Sequence, residues 1–210
     1  MADQHEDIWE QAPPNLTVKI RHPRPAPAPD ESLEFHASRL LLLLYYAGGR
    51  ANRIEGRTKL AKMDFLIRYP TYLIEATKII NRQKRDQSSW KPVESNVEQV
   101  ARPESRMIRF KYGPWDPRYY DIFSYLVAKD FIEIQPTKNK GDVFHLTAKG
   151  KAAVEELDGT EFEEIIKRCK LVYKLFGGVA GNTIKQFIYK YFTEVVDRPL
   201  GAEIEDDNVS

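Results

Sequence analysis

Apolar residues recur at helical spacing through most of the chain, so the pattern predicts a mainly helical fold. A first helix is predicted from about Asp30, with that residue or Ser32 as its N-cap. Its second half, residues 40–47, is apolar on every side, which indicates burial between several elements rather than a surface stripe. Two further helices are predicted between residues 57 and 80, and two amphipathic helices within residues 159–199.

The middle of the chain shows the alternation of apolar and polar residues that is typical of strands. A strand is predicted at residues 106–112, followed by a turn and then by a helix at 118–129. Two short strands, 131–134 and 143–146, and the polar hairpin tip between them lead into a helix capped by Thr147. A helix, a two-stranded wing and a closing helix in this order are typical of a winged helix.

The predicted fold class is therefore α+β and mainly α: a winged-helix domain with a short β-hairpin wing, additional N- and C-terminal helices, and an extended Pro-rich N-terminal arm. Residues 1–30 form this arm, because closely spaced prolines fix the backbone in extended conformations. Residues 31–158 form the winged-helix-like domain, which includes a long basic loop at 82–104. Residues 159–199 form a C-terminal helical pair, and residues 200–210 an acidic disordered tail.

Composition narrows the class of protein. The 210 residues carry a net charge of +1, so any binding of nucleic acid must depend on local clusters of basic residues. Cys169 is the single cysteine, which excludes an intramolecular disulfide. The N-terminus lacks the features of a signal peptide, and no apolar run approaches the roughly 20 residues that span a bilayer. We therefore expect a soluble cytoplasmic protein that does not insert into membranes.

The residue patterns that support catalysis are missing from the sequence. The four histidines are scattered and show no metal-binding spacing with Cys169 or with a carboxylate. The glycine pairs at 48–49 and 177–178 are not followed by the Lys-Ser/Thr of a phosphate-binding loop. The sequence therefore predicts no enzyme, no catalytic residues, no metal site and no cofactor.

Basic residues around the predicted wing form a candidate phosphate-binding surface, because lysine and arginine beside a winged helix can contact the DNA backbone. Lysines also lie on hairpins for solubility and to protect strand edges, so a purely solvated surface is the alternative. The candidate DNA or phosphate contacts are Arg106, Arg109, Lys111, Arg118, Lys138, Lys140, Lys149 and Lys151.

Two stretches of sequence resemble a known family. The first is the leucine-rich run at 39–44 followed by RIEGRTKLAKMDFLIRYP at 53–70, and the second is RFKYGPWD at 109–116. Together they resemble the middle component of ABC-three-component systems, which includes the small accessory subunit of Lamassu-type anti-phage and anti-plasmid defence. The resemblance covers residues 35–195 and leaves the N-terminal arm unexplained.

The resemblance implies a function in antiviral defence. The chain would be a non-catalytic accessory subunit that docks on an SMC-like ABC ATPase. It would help to hold an effector, often a nuclease, inactive, or relay DNA sensing to that effector. Any contact with double-stranded DNA in such a complex is expected to tolerate many sequences and to weaken with salt. The alternative is a stand-alone winged-helix transcription regulator or antitoxin that binds DNA as a homodimer.

The helix predicted from residue 57 is the candidate partner interface, because its apolar positions are surrounded by basic ones. Asp64 within it can pair at helical spacing with Arg57 or Arg68. The candidate interface residues are Arg57, Lys59, Leu60, Lys62, Met63 and Arg68.

Overall fold

A computed structural model describes residues 32–97, 106–138, 141–157, 159 and 161–205. The predicted Pro-rich arm at 1–30 lies outside the described residues, as do Lys140 and residues 206–210. Over the described ranges the chain is α+β and mainly helical, with a small antiparallel sheet. This confirms the α+β, mainly helical class that the periodicity predicted.

Helices carry most of the described chain, and five short strands are interspersed among them. The helices are α1 (Leu33–Ala47), α2 (Arg57–Arg68), α3 (Pro70–Lys84), α4 (Tyr119–Ala128), α5 (Ala148–Leu157), α6 (Glu163–Phe176), α7 (Gly181–Tyr191) and α8 (Thr193–Val196). The strands are β1 (Arg53–Glu55), β2 (Ile108–Phe110), β3 (Gly113–Trp115), β4 (Ile132–Thr137) and β5 (Gly141–Leu146).

The first helix forms the centre of the core. It begins at the N-cap Ser32, whose Oγ accepts a hydrogen bond of 3.0 Å from the backbone N–H of Phe35. Leu42 and Leu43 are completely buried, because α1 packs against α4, α5, α6 and the sheet. The burial expected from an apolar run with no polar side is therefore confirmed.

The main sheet is antiparallel, with its three strands in the order β1–β5–β4. Ile54 lies opposite Phe144, and Ile132 lies opposite Leu146; all four side chains are buried on the same core. The hairpin of β4 and β5 was expected, but β4 extends to Thr137, beyond the predicted end at residue 134. The extension is polar and exposed, so hydrophobic alternation could not mark it.

A second, smaller hairpin differs from the sequence expectation. The strand predicted at 106–112 is limited to β2, and the residues expected to form a turn after it include a second strand, β3. Phe110 pairs with Gly113 at the closed end of this hairpin, so residues 111 and 112 form the turn. Gly113 has φ +92°, a backbone conformation that favours glycine.

The C-terminal helices share the core of the preceding residues rather than forming a separate layer. Helix α6 packs on α1 and α2, and α7 packs on α2. Residues 200–205 also differ from the disordered tail expected there. Ile204 is fully buried, its N–H donates to the Met107 carbonyl at 2.7 Å, and the Tyr69 hydroxyl donates to its carbonyl at 2.9 Å.

The basic segment expected to be a loop from residue 82 begins instead inside α3, which ends at Lys84. The following residues are fixed locally by Asn81, whose Oδ1 accepts hydrogen bonds from Trp90 Nε1 at 3.2 Å and from Val93 N at 3.0 Å. The Lys84 ammonium lies 4.1 Å from the centroid of the Trp90 ring. Trp90 therefore packs against residues that are close to it in the sequence.

Candidate functional site

The outer face of α4 is exposed beside the hairpin of β4 and β5. Its inner face, including Tyr119, Ile122 and Leu126, is completely buried. The outer face presents Tyr120 and Val127, which are 56% and 47% exposed. Asp121 is the single charged residue in the helix, and it is negative. The outward surface of α4 is therefore mainly apolar, with the hydroxyl of Ser124 and one acidic group.

A cavity of about 450 Å³ lies between α4 and the hairpin of β4 and β5. Tyr120 and Val127 line it from the helix, and Ile134 and Phe144 line it from the strands. We call it the apolar cavity. Its lining and its position beside half-exposed apolar side chains make it suitable for an apolar side chain from another protein.

A second cavity, of about 240 Å³, lies between α2 and the hairpin of β2 and β3. Its walls are aromatic, from Phe110, Tyr112 and Trp115, and it also contains Lys62. We call it the basic cavity. Arg57 and Tyr120 line both cavities, so the two are adjacent.

Arg57 is held at the boundary between the two cavities. Its guanidinium forms an ion pair with Asp142 at the start of β5 and donates to the Tyr120 hydroxyl at 3.1 Å. The guanidinium carbon also lies 5.5 Å from the centroid of the Tyr120 ring. These contacts link α2, α4 and the hairpin of β4 and β5 at one point on the surface.

Lys62 is a buried cation in this site. Its side chain is 2% exposed, and its ammonium donates to the Pro114 carbonyl at 2.8 Å. Burial, followed by the positive charges of Arg109 and Lys185, lowers the pKa of Lys62 from 10.5 to about 7. A Cβ at Gly113 would lie 3.3 Å from Lys62 Cε, so glycine at this position also lets the lysine pass under the hairpin.

Exposed aromatic and aliphatic side chains concentrate around the two cavities. Phe110, Tyr112, Tyr120 and Val127 are between 47% and 56% exposed. Among the described residues only two other large apolar side chains reach similar exposure, one on α6 and one near the C-terminus. Aromatic side chains of this kind are enriched in the energetically important parts of protein interfaces.

A buried ionic cluster lies behind this surface and consists of Arg39, Asp64, Arg68, Asp116 and Arg118. Arg39 Nε donates to Asp64 Oδ1 at 2.8 Å, and Arg68 Nη2 lies 2.9 Å from Asp64 Oδ2 and 2.7 Å from Asp116 Oδ2. Arg39, Asp64, Arg68 and Asp116 are completely buried. Two buried cations thus face two buried anions, and the cluster ties α1 and α2 to the start of α4.

The same cluster fixes the aromatic wall of the site. The Tyr119 hydroxyl donates to Asp64 Oδ2 at 2.8 Å, and the Tyr119 and Trp115 ring centroids are 4.8 Å apart. Because Tyr119 directly precedes Tyr120 in α4, this hydrogen bond helps to fix the orientation of the helix and therefore the direction in which its outer face points. The cluster therefore acts on the candidate site through the position of α4.

The electrostatics of the cluster follow from its charges. Burial alone would raise the pKa of Asp64, but Arg39 and Arg68 outweigh it and hold that pKa well below its usual value. Burial is likewise outweighed at Asp116, mainly by Arg68, and its pKa falls to about 2. The pKa of His36 falls to about 3, because burial and the nearby arginines disfavour its protonated form. Both carboxylates are ionised and His36 is neutral at physiological pH.

Comparison with protein-family models, with curated proteins and with solved structures found no match for this chain.

The residues predicted as a partner interface on α2 differ in accessibility. Leu60, Lys62, Met63 and Arg68 are buried, because α2 lies between the C-terminal helices and the hairpin of β2 and β3. Arg57 is exposed, and Lys59 is half-buried, with its ammonium donating to the Gly177 carbonyl. In this structure a partner can therefore reach this helix mainly through its first turn.

The predicted phosphate contacts also separate into two groups. Three arginines are engaged by the chain itself: Arg106 pairs with Glu203, Arg118 pairs with Asp116, and Arg109 donates to the Val196 carbonyl. The lysines are the freer cations. Lys111, Lys138 and Lys149 are exposed, Lys151 is half-buried, and Lys140 lies outside the described residues.

The sequence identified part of the ionic cluster and missed the rest. The pairing of Asp64 with Arg68 four residues later is confirmed, and the alternative pairing of Asp64 with Arg57 is not formed. Arg39 and Asp116 are distant in sequence, and no local spacing marks them as partners. Across the described ranges, no group of three His, Cys, Asp or Glu residues could hold a metal ion. No helix among these residues is long and apolar enough to cross a membrane.

Proposed function

We propose that this chain is a non-catalytic accessory subunit with a winged-helix core that binds another protein through α4 and the two adjacent cavities. The strand order β1–β5–β4 and the helices before and after the hairpin support the winged-helix assignment. In this assignment α4 is the helix that precedes the wing. A DNA-binding winged helix would place this helix in the major groove.

The outer face of α4 carries the proposal. Reading bases in the major groove requires hydrogen-bonding side chains such as Arg, Lys, Asn or Gln, and the DNA backbone requires positive charge. The exposed positions of α4 instead include Tyr120, Asp121, Ser124 and Val127. An apolar face with one negative charge, next to an apolar cavity, favours a protein partner over a DNA groove.

The resemblance to ABC-three-component systems supports the identity of the partner. We propose an SMC-like ABC ATPase in a cytoplasmic anti-phage and anti-plasmid defence complex of the Lamassu type. The chain would dock on the ATPase and hold the effector nuclease inactive or relay DNA sensing to it. Direct contact with double-stranded DNA would use exposed lysines such as Lys138 at the wing tip and would tolerate many sequences.

The test is co-purification of the chain with the SMC-like ABC ATPase of the same genome. Val127→Glu places a second negative charge on the outer face of α4 at a half-exposed position, so the fold should tolerate it. We expect it to weaken binding by about 30-fold, as for an interface hot spot worth about 2 kcal/mol. Ala152→Glu, at an exposed position on α5, is the matched control and should bind normally.

Two outcomes would contradict the proposal. One is unchanged ATPase binding by Val127→Glu. The other is a stable homodimer that binds one palindromic DNA sequence and ignores the ATPase, which would instead identify a stand-alone regulator or antitoxin.

A further inference from the structure

We infer that the basic cavity binds the carboxylate of an acidic residue in a short segment of the partner protein, and that an apolar side chain of the same segment enters the apolar cavity. The inference rests on the proposed function, because it specifies the chemistry of the partner segment. The juxtaposition of Lys62, the aromatic hairpin and the apolar cavity carries it.

Lys62 in the basic cavity and its neighbours Arg109 and Lys185 carry positive charge that no carboxylate of the described residues neutralises. Over the described residues, no carboxylate forms an ion pair with Lys62, Arg109 or Lys185. Lys185 is held nearby, with its ammonium 5.4 Å from the Tyr112 ring centroid and 5.5 Å from that of Tyr189. A buried ammonium repelled by neighbouring cations is unfavourable unless an anion joins it, so the site is complementary to a negative group.

Arg109 adds to this imbalance. Its Nε donates to the Val196 carbonyl at 2.8 Å, but its buried Nη1 has no hydrogen-bond acceptor among the described residues. The lowered pKa of Lys62 is a consequence of the same surroundings. A carboxylate placed beside Lys62 would relieve the repulsion and favour the protonated amine.

The surroundings of the cavity favour a peptide as the source of the carboxylate. Half-exposed Phe110 and Tyr112 flank the entrance to Lys62, and Tyr120 connects this cavity with the apolar one. A segment with an acidic residue close to an aromatic or aliphatic residue would occupy both cavities at once. The two contacts together would give the affinity and the orientation that neither provides alone.

Nucleic acid fits this surface less well. A nucleic-acid backbone is bound by a broad basic surface, with several phosphates contacted along the strand. Here two negative charges lie on the elements that form the apolar cavity, Asp121 on α4 and Asp142 on β5. Arg57 is already paired with Asp142. The positive charge without a carboxylate partner among the described residues is confined to Lys62 and its neighbours Arg109 and Lys185, and the recessed amine of Lys62 suits one small carboxylate.

The experiment is a selection from a phage-displayed library of random peptides against the immobilised full chain, repeated on the Lys62→Met variant. Methionine resembles lysine in length and carries no charge, so the removal of a buried charge offsets the loss of the hydrogen bond to the Pro114 carbonyl and the variant should still fold. Lys174→Met removes an exposed lysine from α6, which lines neither cavity, and is the matched control. Selected peptides are then measured with their Glu or Asp changed to Gln or Asn.

We expect the natural chain and the Lys174→Met variant to select peptides in which an acidic residue lies near an aromatic or aliphatic one. The Lys62→Met variant should not select such peptides. Neutralising the peptide's acid or Lys62 should weaken binding about tenfold or more. Selection of peptides without an acidic residue, or equal selection by Lys62→Met, would overturn the inference. It would leave the proposed function intact, because that depends on the separate test with Val127→Glu.

A third arm distinguishes nucleic acid from peptide. A labelled single-stranded thymidine oligonucleotide is titrated into the natural chain and into Lys62→Met. Binding that requires Lys62 and displaces the selected peptides would overturn the inference in favour of nucleic acid. Absence of such binding, together with Lys62-dependent peptide binding, supports it.

Discussion

The Asp64→Asn substitution tests whether the buried ionic cluster holds the fold together. The carboxylate accepts hydrogen bonds from Arg39, Arg68 and Tyr119 at 2.8 to 3.0 Å, and it is completely buried. Asparagine keeps the shape of the side chain but removes its negative charge. Its amide N–H₂ group would also face one of the groups that now donate a hydrogen bond to the carboxylate. The cluster would change from two buried cations facing two buried anions to two cations facing Asp116 alone.

The expected loss of stability is large. Breaking a buried ion pair by removing one partner costs about 3–5 kcal/mol, because the remaining charge stays buried without compensation. A loss of this size is a major fraction of the 5–15 kcal/mol that stabilises a typical protein. For a chain of this length it corresponds to a fall in Tm of about 6 to 20 °C. Urea denaturation followed by circular dichroism measures the change in unfolding free energy directly.

The pH dependence of the same variant provides a second measurement. The pKa of Asp64 in the folded chain is below its ordinary value of 3.8. Its contribution is therefore fully present above about pH 4 and is lost as the pH falls towards the folded-state pKa. The stability difference between the natural chain and Asp64→Asn should shrink in acid.

The control for this prediction is Asp86→Asn. Asp86 is 92% exposed and, among the described residues, pairs only with Arg85, which is 83% exposed, so its loss should have little effect on stability. A change below about 1 kcal/mol for Asp64→Asn would refute the reasoning, since it would mean that the buried arginines do not depend on this carboxylate. A stability difference that stays constant in acid would refute the assigned pKa direction.

Two further predictions concern single side chains. The folded-state pKa of Lys62 is about 7 against 10.5 ordinarily, so the unfolded chain binds more protons between these values. The stability of the natural chain should therefore rise from pH 7 towards pH 10, and the Lys62→Met variant should lack this rise. The measurement is the free energy of unfolding in urea at each pH. If that free energy changes in parallel for the two proteins, the prediction is wrong. Tyr69→Phe removes the buried hydroxyl that donates to the Ile204 carbonyl and accepts from Met107 N at 2.8 Å. A loss of about 1–3 kcal/mol is expected, with faster hydrogen exchange at Met107; unchanged exchange there would show that the C-terminal segment is held by other contacts.

Local patterns in the sequence determined much of the secondary structure. The continuous apolar run at 40–47 required a helix covered on all sides, and Leu42 and Leu43 are completely buried. Alternation around residues 131–146 predicted a hairpin that the structure contains. The spacing of Asp64 and Arg68 identified one ion pair of the cluster. In each case the information lies within a few residues of chain, where side-chain periodicity records the element and its faces.

Tertiary structure alone decided where the candidate site lies. The spacing of Lys62 marks it as part of a helix, but its burial depends on α7 and on the hairpin of β2 and β3, which are distant in sequence. Arg39 and Asp116 likewise join Asp64 only through the packing of α1 and α4 on α2. Periodicity shows which side of an element is apolar, but it does not show which distant segment will cover a charged side. The sequence therefore determined the helices and the hairpin of β4 and β5, and the packing of distant elements turned an apparently exposed basic helix into the floor of a cavity.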